Sequence, residues 1–113
     1  MNPLNSISRD WAVAAMAVAE GQGSLPDSPA EMVNGDLQFC AAACVAYAGL
    51  KITQPGQEQV FRLNLSASND KRIVVDAFAS LGLPAVVCSQ TMNINDSTPQ
   101  QLRIEVLRQA LGM

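Results

Sequence analysis

The stretch FCAAACVAYAGL, residues 39–50, places two cysteines four residues apart within a run of small apolar side chains. Alanine has the highest helix propensity, and small apolar residues occupy both faces. The stretch therefore predicts a helix over Leu37–Ala48 that is buried on more than one side. Gly49 is expected to end this helix. We interpret this segment as the central helix of the fold.

The two cysteines of this helix have three alternative roles: packing, redox sensing or metal binding. Cys40 and Cys44 would share one helix face, with side chains that run parallel, which disfavours a disulfide. A metal site would need Cys88 and a fourth ligand, and the chain has no C-x-x-C pair. A nucleophilic thiol would need a base or a cation beside it. We favour packing in the core, followed by redox sensitivity and then by metal binding.

Apolar periodicity and capping residues predict further helices on both sides of the central one. The first is expected over 3–20, with Asn2 as N-cap and Pro3 at the first position, or with a later start at Ser8. A helical turn is expected over 29–33, a short helix over 57–65, and longer helices over 70–81 and 99–111. The composition of Ala85–Gln90 is typical of an extended segment.

The bulk composition bounds the fold class. The chain has 113 residues, of which 49% are hydrophobic and only 4% are aromatic. That length and composition suit one domain whose helices approach each other closely. We therefore predict a single mainly α domain over 1–113. It is expected to be a compact bundle of four to five short helices, with at most one short extended segment at 85–90.

The residue types exclude several kinds of chemistry. Histidine is absent, which removes Ser-His-Asp and Cys-His catalytic arrangements and most zinc and iron sites. The net charge is −3 and the seven basic residues are scattered, which is unlike a nucleic-acid-binding surface. We therefore expect no catalytic residues, no metal, no cofactor and no nucleic-acid partner.

Four residues are candidates for ligand binding. Asn95 and Asp96 precede a predicted helix start, where free N–H groups suit phosphate or carboxylate. A capping loop without a ligand is the favoured alternative there. Lys71 and Arg72, together with Arg62, could form a small anion patch, although adjacent bases on a helix more often form a solvated face.

The expected location is the cytoplasm. The N-terminal residues MNPLNSISRD lack the apolar stretch of a signal peptide, and no apolar run is long enough for a membrane span. Three cysteines, an odd number, point to free thiols in a reducing compartment.

The order of features resembles an uncharacterised family of small bacterial and phage helical domains, in which an Asn-Asp pair precedes the final helix. The closest stretches are Phe39–Ala48 and Ile94–Leu111. The resemblance implies a bacterial or phage origin. That family has no assigned activity, so the resemblance implies nothing about catalysis.

Three functional hypotheses follow from these observations. The first is a non-catalytic protein that binds another protein, for example an inhibitor, an immunity-type protein or an assembly protein. The alternative is a protein or enzyme that binds a small anion or nucleotide through the 95–98 loop and the basic residues. The third is self-association, with Ala85–Gln90 pairing across a two-fold axis.

Overall fold

Six α-helices and one β-hairpin make up the fold in a computed structural model that describes residues 4–113. The prediction of a mainly α bundle is confirmed, with six α-helices where four to five were expected. The elements in chain order are α1 (Arg9–Gln22), β1 (Ala30–Val33), β2 (Asp36–Phe39), α2 (Ala41–Thr53), α3 (Gln57–Ser68), α4 (Lys71–Ser80), α5 (Ala85–Asp96), a short 3-10 helix (Gln100–Leu102) and α6 (Arg103–Ala110).

Helix α1 begins at the later of the two predicted starts. The Ser8 hydroxyl accepts a hydrogen bond from the Trp11 N–H at 3.2 Å, which is the usual N-cap arrangement. The predicted cap Asn2 and the predicted first residue Pro3 lie outside the described residues. The helix ends at Gly23, whose positive φ of 80° lets its N–H reach the carbonyl of Ala19.

A β-hairpin stands where helical structure was predicted. The prediction of a helical turn over 29–33 is wrong, and so is the prediction that a helix begins at Leu37. Residues 30–33 and Leu37 lie in strands instead, because β1 and β2 pair antiparallel. Asn34 and Gly35 form the two-residue turn, both with positive φ (51° and 86°), which is the type I′ geometry that favours Asn-Gly. The chemistry of this turn therefore outweighed the local preference for a helical turn over 29–33.

Helix α2 is the central helix, as predicted, although it is displaced towards the C-terminus. It contacts every other α-helix of the described chain, and all but a few of its residues are buried. Gly49 lies inside this helix, and the expectation that it ends the helix is wrong. A Cβ at Gly49 would lie 2.6 Å from two ring atoms of Trp11. The absence of a side chain at Gly49 is therefore what lets α1 approach α2, and the Trp11 indole N–H donates to the carbonyl of Val45 at 2.8 Å.

Helices α3 and α4 lie close to their predicted positions. Helix α3 extends three residues beyond the expected end, and Asn69 closes it in the left-handed conformation. Asp70 caps α4 by accepting a hydrogen bond from the Arg72 N–H at 2.9 Å. These boundaries were predictable because caps and apolar periodicity agree there.

The segment Ala85–Gln90 is helical, and the prediction of an extended segment there is wrong. Pro84 is the N-cap of this helix. One side of the helix packs against the core through a buried stripe of Cys88, Thr91 and Asn95. This packing outweighs the strand-like composition of the first residues. Because its backbone bonds are used within α5, the segment has no free strand edge for pairing with a second copy.

The predicted helix over 99–111 is divided in two. Pro99 precedes the 3-10 helix, and α6 follows directly after it. No helix among residues 4–113 combines the length and the apolar character that crossing a bilayer would require.

Candidate functional site

The three cysteines lie in the interior as free thiols. Burial raises the pKa of Cys40 from its ordinary 9.0 to about 11 and that of Cys88 to about 12. Burial also raises the pKa of Cys44 well above its ordinary value. A thiol must lose its proton to act as a nucleophile or a metal ligand, so these groups are held in the unreactive form at neutral pH.

Cys40 has the position most suited to reactivity, directly before α2. The backbone N–H groups of Ala43 and Ala42 lower its pKa, as they would for a thiolate at a helix N-terminus. Desolvation is the larger effect, because the residue is only 2% exposed. Among residues 4–113, no group of three potential ligands has the arrangement of a metal site. The geometry thus favours a packing role for these thiols.

Asn95 is an internal anchor of the fold. It lies within α5 at 2% exposure, whereas a capping loop was expected. Its Oδ1 accepts from the Ala41 N–H at 3.1 Å, and its Nδ2 donates to the carbonyl of Pro26 at 3.0 Å and to Asp96 Oδ1 at 3.1 Å. Both ends of the amide are therefore occupied by the protein itself.

Asp96 is exposed and ends α5. The expected loop at this point is wrong, because residues 95 and 96 form the C-terminal end of α5 and the next helical turn begins only at Gln100. The partial charge of the helix dipole is negative at that end and does not favour an anion. A phosphate bound at Asn95 and Asp96 would therefore lack the free N–H groups that a helix start supplies.

Lys71 and Arg72 lie in the first turn of α4 and are exposed. Within the described residues no hydrogen bond or ion pair joins their side chains to Asn95 or Asp96. Arg62 instead lies over the Phe39 ring, with its guanidinium carbon 6.0 Å from the ring centre. Anion binding by Lys71 and Arg72 stays a prediction, and no interaction of the structure links it to the other two candidates.

Arg103 is buried, although the sequence predicted for it only a place among the scattered basic residues. It is 7% exposed, and its guanidinium donates to the carbonyls of Thr98 and Leu25 at 2.9 and 2.8 Å and to the carboxylate of Asp27. Its spacing from Leu107 and Leu111, at i+4 and i+8, was the available signal that it faces inward. The guanidinium holds the 24–29 loop against the end of the α5–α6 connection.

A groove between helices α1 and α2 opens on the outer surface, and we call it the α1–α2 groove. Its volume is about 500 Å³, and its lining is apolar apart from one lysine. Its residues are Ala14, Ala17, Val18, Ala48, Lys51 and Ile52. Val13 lies nearby on the outer side of α1 and is 45% exposed, as is Ile52.

A second depression, which we call the α3–α4 cleft, lies on another part of the surface. Its volume is about 280 Å³. Its floor is apolar and buried, whereas its rim carries amides, a hydroxyl and one carboxylate. The floor and sides consist of Leu50, Val60, Phe61, Ile73 and Ala77, and the rim of Gln54, Gln57, Asn64, Asp76 and Ser80.

Comparison with protein-family models, curated proteins and solved structures finds no match for this chain. The resemblance to the bacterial and phage helical domains therefore stays a prediction, and functional inference depends on the surface features above.

Proposed function

We propose that this chain is a non-catalytic protein-binding domain whose α1–α2 groove receives an amphipathic helix of another protein. The observation that carries the proposal is the apolar outer side of α1. Residues 11–19 read WAVAAMAVA, so the helix has apolar residues on the side that faces solvent as well as on the buried side. A surface helix ordinarily places polar residues there, and a contiguous exposed apolar surface marks an interaction site.

The shape of the groove suits a helix. Buried Ala48 lies at its base, Ala14 and Ala17 line its α1 side, and larger residues stand beside them at positions 18 and 52. Small residues between larger ones let a third helix lie between α1 and α2 at the ordinary interaxial distance of about 8–10 Å. The groove is therefore a place where a helix can bury one apolar stripe.

The backbone chemistry of the groove also favours a helical occupant. Both walls are α-helices, whose N–H and C=O groups are bonded within each helix. An extended peptide would lose hydrogen bonds to water without gaining any from these walls. A helix brings its own backbone bonds and loses none of them.

Lys51 supplies the one charge on the groove. No ion pair engages it within residues 4–113, and it lies in the last turn of α2. A partner helix with an acidic residue beside its apolar stripe would match this charge. Rim charges of this kind contribute more to orientation and association rate than to affinity.

The remaining features agree with a binding role in a reducing compartment. The three thiols are free and buried, and their raised pKa values oppose a nucleophilic role. We place the protein in the cytoplasm of a bacterium or of a phage-infected cell. There it would act as an inhibitor, an immunity-type protein or an assembly protein.

Site-specific photo-crosslinking in the native host tests the proposal. A benzophenone amino acid at Ala17 would lie in the groove, and the same substitution at Ala79, exposed on α4, is the matched control. We expect the variant at position 17 to give a discrete adduct whose captured peptide has apolar residues at i, i+3, i+4 and i+7. Adding Ile52→Glu to that variant should remove the adduct while the melting temperature stays unchanged.

Two results would contradict the proposal. One is equal labelling from positions 17 and 79. The other is an adduct that survives Ile52→Glu, since a groove occupied by an apolar stripe cannot accept a carboxylate there without a large loss of affinity.

A further inference from the structure

The α3–α4 cleft has an apolar interior that is large enough for one inserted side chain. Leu50, Phe61 and Ala77 are buried at its floor, and Ile73 is half-buried beside them. Val60 is 46% exposed at its edge. Folding leaves this apolar depression, of about 280 Å³, open to solvent. An occupant with an aliphatic stem would remove it from water.

The rim of the cleft is rich in hydrogen-bond acceptors and holds a single charge. Asp76 is the one acidic residue of the rim, and no ion pair engages it among residues 4–113. Arg72, one turn earlier on α4, is exposed and makes no ion pair with it. Gln54 uses its Nε2 on the carbonyl of Ser80 at 3.3 Å, and no hydrogen bond within the described residues occupies its side-chain oxygen.

Two helix C-termini meet at one end of this cleft. Helix α2 ends at Thr53 and α4 ends at Ser80, and the hydrogen bond between Gln54 and Ser80 joins the two ends. The C-terminal end of a helix carries a partial negative charge that favours a cation nearby. The N-terminal end of α3 at Gln57 opposes this preference, but Glu58 in its first turn accepts from the Gly56 N–H at 2.7 Å and offsets it. The carboxylate of Asp76 and the two C-terminal dipoles therefore favour positive charge, while the floor favours an apolar body.

We propose that the α3–α4 cleft binds a lysine side chain of a protein partner. The aliphatic stem of lysine would cover the floor, and its ammonium would lie between Asp76 and the amide oxygens of the rim. Three diverging N–H groups match acceptors that lie on different helices. The planar guanidinium of arginine would pair with Asp76 alone and would leave the amide oxygens on the other helices without a donor. The contact is separate from the α1–α2 groove, and either can fail without the other.

Titration of isotope-labelled protein with short capped peptides, followed by NMR, tests this site. The probes are acetyl-Ala-Lys-Ala-amide, its norleucine and arginine counterparts, and free 1,5-diaminopentane. We expect saturable shifts of the Ile73 and Ala77 methyl signals with the lysine peptide. Norleucine keeps the stem without the charge and should bind about fivefold more weakly, as expected for one partly exposed ion pair.

The variant Asp76→Asn should reduce the affinity for the lysine peptide to the affinity for the norleucine peptide. Asp36→Asn, which removes the same charge from an exposed residue outside the cleft, should leave the preference intact. The proposal is overturned if norleucine or arginine binds as tightly as lysine, if Asp76→Asn keeps the preference, or if the shifts map outside the cleft. Tighter binding of 1,5-diaminopentane than of the peptide would overturn the assignment to a protein partner.

Discussion

The residues around α2 and the residues of the two surface depressions are similar in type. They differ in how completely the protein itself covers their apolar surface and pairs their polar groups. Around α2, small side chains touch on all sides, Gly49 leaves room for Trp11, and the amide of Asn95 is fully bonded. In the depressions, Val60 and Ile52 are nearly half exposed. Folding therefore covers the first region completely, whereas in the second it buries the floor and leaves apolar edges in contact with water.

The largest expected effect of a single substitution in the first region is that of Gly49→Ala. The new Cβ would meet two Trp11 ring atoms at 2.6 Å and Leu81 Cδ1 at 2.9 Å. The Leu81 methyl can move aside, but the indole of Trp11 is buried and held by its hydrogen bond to the Val45 carbonyl, so we expect a loss of about 3 kcal/mol in the free energy of unfolding. Urea unfolding followed by Trp11 fluorescence measures it.

Gly21→Ala is the matched control on the outer end of α1. Nothing lies within 4 Å of a Cβ there, and the residue is helical without a positive φ. Alanine should therefore stabilise the protein by about 0.5–1 kcal/mol. Similar losses at positions 49 and 21 would remove the distinction between a packed interior and an open surface.

The second prediction concerns the polar anchor in the interior. Asn95→Ala would leave the Ala41 N–H and the Pro26 carbonyl buried without their partner. We expect a loss of about 2 kcal/mol, measured by thermal and urea unfolding. Asn93→Ala, on the exposed side of the same helix, should change stability by less than about 0.5 kcal/mol. If Asn95→Ala were neutral, the 24–29 loop would not depend on this residue.

The smallest effect expected in this region is a dependence of stability on pH that comes from the thiols. Their folded-state pKa values are raised, to about 11 for Cys40 and about 12 for Cys88. As the pH approaches the unfolded-state pKa of 9.0 and then exceeds it, the unfolded chain loses thiol protons that the folded chain retains, so the unfolded state gains stability. We expect the free energy of unfolding to fall by about 1 kcal/mol from pH 7 to pH 9 through these groups.

Urea unfolding at pH 7, 8 and 9 under reducing conditions measures this dependence. A variant in which Cys40, Cys44 and Cys88 are alanine keeps every other titrating group and provides the comparison. The native protein should lose more stability with pH than this variant does. Parallel curves would show that the thiols become ionised in the folded state as readily as in the unfolded one.

Much of the helical architecture was predictable from the sequence because local signals and packing agree. The boundaries of α4 follow from Asp70 as N-cap and from the apolar stripe that includes Val74 and Phe78. The hairpin was missed because strands of four residues are too short to show alternation, even on either side of an Asn-Gly turn. Burial of Cys88, Thr91 and Asn95 along one side of α5 outweighed the strand-like composition of Ala85–Gln90.

The surface features were harder to predict because they depend on which side of a helix meets the core. Val18 is half-buried and lines the α1–α2 groove, whereas Met16, two residues earlier on the same helix, is fully buried. In a helix with apolar residues on both sides, periodicity does not identify the inner side. Arg103 illustrates the same limit, since its carbonyl partner Leu25 lies 78 residues away in the chain.

The bonds of Arg103 and Asn95 to the 24–29 loop have a consequence for synthesis on the ribosome. These contacts span 69 to 78 residues, so the loop emerges long before the side chains that complete it. Helix α1 and the hairpin can form early from local contacts, yet the loop between them remains hydrated until the last helix leaves the exit tunnel. Final closure of the fold is therefore a late event, timed by translation of the C-terminal segment.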